Sequence, residues 1–133
     1  MILVVDDEKS ILETTKQTLE SFGYRALVAS DGAEAISLFA ARQTEITLVL
    51  TDMMMPIMDG PALIAAIKHI RPSAKVIAAS GLAANGGVAR VSALGVKHFL
   101  AKPYSAEEML KLLRRVIRGV SRPPLPLSGT DLD

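Results

Sequence analysis

Acidic side chains stand three in a row at Asp6, Asp7 and Glu8, directly after the apolar run ILVV. Another acid, Asp52, follows ITLVLT; Ser80 closes KVIAAS, and Lys102 follows HFLA. Carboxylates crowded beside buried chain repel one another and lose hydration, so they call for a counter-charge. The chain has no cysteine, and His69 and His98 lie far along it from these acids. An oxygen-only donor set suits a hard cation. Mg²⁺ is the natural choice, held by one or two carboxylates, a backbone carbonyl and several waters.

The elements that must position these residues are legible as alternating patterns. Ile2–Val5 reads as a buried strand. Ile11, Leu12, Thr15, Leu19 and Phe22 then share one helical face, and Gly23 stops the run. Tyr24–Ala29 reads as a second strand. A helix capped by Ser30 or Asp31 follows, with Ala35, Ile36, Phe39 and Ala40 inside. Ile46–Thr51 is the third strand, and Pro61–Ile70 the third helix, capped by Asp59 with proline in its first turn. Lys75–Ala79 is the fourth strand. Gly87–Leu94 is a weaker helix, with Asn85, Gly86 and Gly87 loosening its start. Val96–Leu100 is the fifth strand. The last helix begins at Ser105, with Glu108 completing a capping box. Its buried face is expected to hold Ala106, Met109, Leu110, Leu113, Val116 and Ile117.

Five short, nearly all-apolar strands alternating with helices predict an open α/β fold, a parallel sheet with helices on both faces. In such sheets ligands bind beyond the carboxyl ends of the strands. Asp6 and Asp7 end strand one, Asp52 ends strand three, Ser80 strand four and Lys102 strand five. The topology therefore brings three carboxylates, a hydroxyl and an ammonium to one edge. Met53 and Met55 in TDMMMP read as apolar filler beside that edge, since thioethers suit soft metals.

VVDD at 4–7, TDMMMPIMDG at 51–60, AASG at 78–81 and KHFLAKP at 97–103 agree in order and spacing with one family. The chain resembles the CheY-like receiver domain of two-component response regulators and hybrid sensor histidine kinases over about residues 1–118. The resemblance implies a (βα)5 flavodoxin-like fold with strand order 2-1-3-4-5. It implies that Asp52 is the phosphoacceptor, that Asp7 contacts Mg²⁺ directly, and that Asp6 acts mostly through a water. The Met54 carbonyl is implied as a further metal ligand. Ser80 would hydrogen-bond the phosphoryl group, Lys102 would pair with Asp52 and then with a phosphoryl oxygen, and Phe99 would change rotamer on activation. Pro103 would follow a cis peptide bond. Met54 and Leu82 would flank the path of the hydrolytic water, and their apolar bulk predicts slow self-dephosphorylation.

The function so implied is a signalling switch of a phosphorelay that takes a phosphoryl group from a phosphohistidine onto Asp52. The domain would catalyse its own phosphorylation and dephosphorylation. The implied partners are a histidine kinase or histidine phosphotransfer domain, and a downstream protein on the face of the fourth helix, fifth strand and fifth helix. The implied location is cytoplasmic, alone or as the cytosolic part of a membrane-bound hybrid kinase.

Composition narrows the alternatives. The chain has 133 residues, half of them apolar and 22% charged, with a formal net charge of +1. That is a globular balance without the charge excess of a nucleic-acid binder. No segment reaches the length of a membrane span, and no recognition module for DNA is present. The basic residues Lys111, Arg114, Arg115 and Arg118 suit the end of the last helix. A dinucleotide-binding domain would need a glycine-rich loop where the chain has DDEKS. An aspartyl phosphatase would need a second acid where Met54 stands. The remaining alternative is a phosphorylation-independent protein-binding module of the same fold. Residues 1–119 are expected to form the domain, and 120–133, with SRPPLPLSGTDLD, a disordered tail or linker.

Overall fold

The computed structural model describes residues 1–55, 58–81 and 90–119. Strands β1 (Ile2–Val5), β2 (Ala26–Ala29), β3 (Leu48–Asp52), β4 (Lys75–Ser80) and β5 (His98–Ala101) alternate with helices. The helices are α1 (Lys9–Ser21), α2 (Gly32–Ala41), α3 (Gly60–Ile70) and α5 (Ala106–Ile117). Helical residues 90–93 are labelled α4. All strand pairs are parallel, in the order β2-β1-β3-β4-β5. The expected order and class both hold. The expected tail at 120–133 and most of the expected fourth helix lie outside the described residues.

The sheet is covered on both faces, which is why its strands are apolar apart from Thr51 and the terminal Asp52, Lys75, Ser80 and His98. Leu3, Val5, Val49, Val76 and Ala78 meet Phe39 of α2 and Leu63, Ile64 and Ile67 of α3. Ile2, Val4, Leu48, Leu50 and Ile77 meet Leu12 and Leu19 of α1 and Met109, Leu110 and Leu113 of α5. The helix starts follow the expected chemistry. Asp31 accepts the Glu34 N–H, Asp59 accepts the Ala62 N–H, and Ser105 and Glu108 form the capping box.

Three residues expected on buried helix faces are exposed. Phe22 is 60% exposed, because α1 ends at Ser21 and Phe22 is its C-cap, past the last turn that faces the sheet. Ala40 and Ala106 are exposed near the end of α2 and at the start of α5; Ala40 lies off the face that buries its neighbour Phe39. Small shifts at the strand ends matter more. β3 runs to Asp52 and β4 to Ser80, so both residues are held by sheet pairing.

Candidate functional site

The site is assembled at the carboxyl ends of β1, β3, β4 and β5. Asp6 follows β1 with its backbone N–H donating to the Ala29 carbonyl at 3.2 Å, so β2 fixes its position. Asp52 pairs with Ala79, and the next N–H, from Met53, donates to the Ala79 carbonyl at 3.0 Å. The Lys102 N–H donates to the Ser80 carbonyl at 2.8 Å, tying the β5 end to β4. The Lys102–Pro103 peptide is cis.

Gly60 locks the loop after Asp52. Its N–H donates to the Met53 carbonyl at 3.0 Å. A Cβ at Gly60 would lie 2.6 Å from Met53 Cα and 3.0 Å from the Asp52 carbonyl oxygen. The glycine is needed for close backbone approach rather than for a left-handed turn, a requirement the sequence alone leaves open. Met53 and Met55 pack in the core, as their apolar character predicts, while the Met54 side chain is 60% exposed.

Asp6, Asp7 and Asp52 each present a carboxylate oxygen, and these atoms all lie within 4.8 Å of one another. Asp6 is 3% exposed and Asp52 5% exposed, whereas Asp7 is open to solvent. Lys102 Nζ lies between the two buried acids, 3.0 Å from Asp6 Oδ2 and 3.5 Å from Asp52 Oδ2. The tighter contact is the hydrogen bond to Asp6, not the expected pairing with Asp52, which is the longer ion pair. Asp6 Oδ1 meanwhile accepts the Glu8 N–H at 2.9 Å. Asp52 Oδ1 accepts the Met54 N–H at 3.3 Å.

The electrostatics follow from that arrangement. Burial first, and then the Asp6 charge, push the Asp52 carboxyl above its ordinary range; Lys102 and the Met54 N–H offset this only in part. Burial pulls the Lys102 ammonium down, but the Asp6 hydrogen bond and the charges of Asp52 and Asp6 outweigh it and raise its pKa. Three acids share one ammonium, so negative charge is left over. An all-oxygen donor set of this density fits a divalent hard cation.

Ser80 is half-buried at the end of β4, and Phe99 is half-buried in β5 opposite Ala78. Phe99 packs against the α2/α3 side of the core. Leu82 lies outside the described residues. His69 is exposed on α3; His98 opens β5 at the far end of the sheet, so neither histidine enters the site. One neighbour escaped sequence reasoning. The Tyr104 hydroxyl lies 3.4 Å from Thr15 Oγ1 and joins the loop after Lys102 to α1 across 89 residues. A cleft of about 470 Å³ opens there, lined by Ser10, Ile11, Thr14, Thr15, Lys102 and Tyr104 among others. No local pattern marks such a pair; only the KPY adjacency to Lys102 hints at it.

Comparison with known proteins agrees with this fold. Residues 2–114 match the response regulator receiver domain family. A receiver domain protein from Clostridium thermocellum superposes with a TM-score of 0.85 at 32% identity, covering 89% of this chain and 94% of that one. A CheY-like receiver domain protein from Methanospirillum hungatei JF-1 gives 0.84 at 28% identity, covering 90% and 94%. Among curated proteins, the response regulator MprA of Mycobacterium sp. (strain KMS) is 33% identical over 90% of this chain and 51% of its own length. The sensor kinase CckA of Brucella abortus is 29% identical over 87% of this chain and 12% of its length. The fold and the acid cleft define a doubly wound signalling domain. The chain belongs to the response regulator receiver family. It spans about half of the regulator it matches and a small part of the kinase. Among the described residues, no helix is long and apolar enough to cross a membrane.

Proposed function

We propose that this domain is a phosphorylation-controlled switch in which Asp52 accepts a phosphoryl group from a phosphohistidine on a histidine kinase or histidine phosphotransfer domain. The observation that carries the reading is Asp52 itself: buried at a strand end, with oxygens of Asp6 and Asp7 within 4.8 Å and Lys102 Nζ at 3.5 Å. In the transfer, an Asp52 carboxylate oxygen forms a bond to phosphorus while the phosphorus–nitrogen bond breaks, and the bonding pair stays on the donor imidazole. Asp7, Asp52 and the Met54 carbonyl would hold Mg²⁺, with Asp6 acting through a water; bound there, the ion neutralises charge on the phosphoryl oxygens.

The chain's own residues do the rest. Asp6 has both oxygens engaged, by Lys102 and by the Glu8 N–H, which supports a role in orienting rather than in direct ligation. Asp7 is exposed and so free to bind. Lys102 is positioned to shift from the acids to a phosphoryl oxygen, supplying positive charge where transfer concentrates negative charge. Ser80 supplies a hydroxyl donor from the end of β4. Phe99 shares β5 with the lysine anchor, so its rotamer can follow changes at Ser80 and Lys102. The new charge at Asp52 then shifts a two-state population and alters the surface of α4, β5 and α5. The same site would catalyse hydrolysis of the acyl phosphate, slowly if Met54 and Leu82 screen it from water.

A small acyl-phosphate donor tests the reading. With Mg²⁺ present, the native chain should gain one phosphoryl group by intact-mass analysis, and Asp52→Ala should gain none. Unmodified native chain under these conditions would leave a binding module that works without phosphorylation.

A further inference from the structure

A second cavity lies at the opposite end of the sheet, about 260 Å³ in volume. It is framed by the carboxyl end of α3, the starts of β4 and β5, and the end of α5. Its lining includes Lys68, Lys75, Lys97 and His98, with no carboxylate among the lining residues. None of these four takes part in an ion pair among the described residues. Lys68 Nζ donates to the Ala74 carbonyl at 2.8 Å and Lys75 Nζ to the Ile117 carbonyl at 3.0 Å. An ammonium has three donors, so each lysine keeps two more.

Favourable placement of cations near helix carboxyl ends accounts for part of this. It accounts for one carbonyl bond on each of Lys68 and Lys75, and for nothing at Lys97 or His98. The surplus is felt locally. Burial, Arg115 and Lys97 together lower the His98 pKa, and burial lowers that of Lys68 with no acid to restore it.

We propose that this basin is an anion site that takes a phosphate group, either inorganic phosphate or the phosphate of a small phosphomonoester. Three lysines lining one small cavity match a compact dianion with several strong acceptor oxygens better than a single carboxylate. The volume of about 260 Å³ has room for a phosphate group and part of a small molecule carrying it, and lies below the range of sites that enclose drug-sized ligands. The site is remote from Asp52 and independent of whether Asp52 is phosphorylated.

The test is an amide-shift titration of the full 133-residue chain in magnesium-free buffer, where the acid cleft repels anions. Inorganic phosphate and AMP are the two probes, with chloride at matched ionic strength as the control. Saturable shifts at Lys68, Lys75, Lys97 and His98 with either probe, absent with chloride, are expected. Phosphate and AMP binding equally would assign the site to the group alone, and tighter AMP binding to a phosphomonoester. Lys68→Gln with Lys97→Gln should weaken binding by at least about tenfold. Lys97→Gln alone, at an exposed position, should weaken it in the same direction should the double variant fail to fold. Equal shifts with chloride, shifts centred on Asp52 and Ser80, or undiminished binding by the variants would overturn the proposal.

Discussion

At the carboxyl end of the sheet Lys102 stands among acids, 3.0 Å from Asp6 and 3.5 Å from Asp52. At the amino end, among the described residues, Lys68 and Lys75 reach carbonyl oxygens, those of Ala74 and Ile117. The consequences for the lysines are opposite: acids raise the Lys102 pKa against the effect of burial, whereas burial lowers that of Lys68 unopposed. Each end is thus left with a surplus of one sign. One end of the sheet can attract a cation and the other an anion, and both surpluses are held in place by the same parallel strands.

Arg71 shows how carbonyl groups brace the amino end, beside the exposed ion pairs of Glu45 with Arg25 and Arg42. Its guanidinium donates to the carbonyls of Gln43 and Ile46 and lies 5.3 Å from the Phe39 ring centroid. These contacts close the end of α3 over the start of β3. Among the described residues, Lys102 is what spans the acids at the carboxyl end, and Asp7 stays accessible there.

The largest expected effect is at that lysine. Lys102→Met should cut phosphorylation of Asp52 by an acyl-phosphate donor by about 10²-fold, the scale for losing a positioned charge. It should also destabilise the domain by roughly 2 kcal/mol at neutral pH, because Asp6 loses its buried partner. Single-turnover phosphorylation and urea melts measure the two losses. An unchanged transfer rate would dissolve the distinction between the two ends.

Asp52→Asn is expected to act in the other direction. The folded state holds the Asp52 proton more tightly than the unfolded chain does, because burial and Asp6 raise its pKa. Its contribution to stability is therefore present at low pH and lost as pH rises through the folded value. Removing the charge should stabilise the protein at pH 7 by on the order of 1 kcal/mol, and the gain should vanish in acid. Thermal melts of native and variant protein from pH 4 to pH 8 (about the carboxylate-to-neutral range) trace the difference. A gain that persisted in acid would assign it to packing and not to charge.

The smallest effect belongs to the amino end. Lys75→Met loses one carbonyl hydrogen bond and no ion pair, so destabilisation should stay within about 1 kcal/mol. It should leave phosphorylation of Asp52 unchanged. A loss matching that of Lys102→Met would mean that the two lysines are held by equivalent forces.

Much of the site was legible before any tertiary contact was known. Apolar runs of strand length, each followed by Asp6, Asp52, Ser80 or Lys102, fix which residues reach the sheet edge once the strands are parallel. Caps were legible for the same reason: Asp59 and Ser105 act on N–H groups three residues away. The exposed Phe22 was not, since a helical face continues on paper past the residue where the backbone leaves the helix.

The sequence by itself determined the order of elements, the polar residues at their ends and the all-oxygen character of the cleft, because these depend on local periodicity and side-chain chemistry. Tertiary structure alone decided which acid Lys102 holds most closely, since Asp6 lies 96 residues away and the choice turns on half an ångström set by strand packing. It alone made Gly60 a contact glycine against Met53. It alone gathered Lys68, Lys75, Lys97 and His98 around one cavity. Coulomb energies and steric contact depend on distances through space, and those distances exist only after the sheet has closed its order and its helices have packed against both faces.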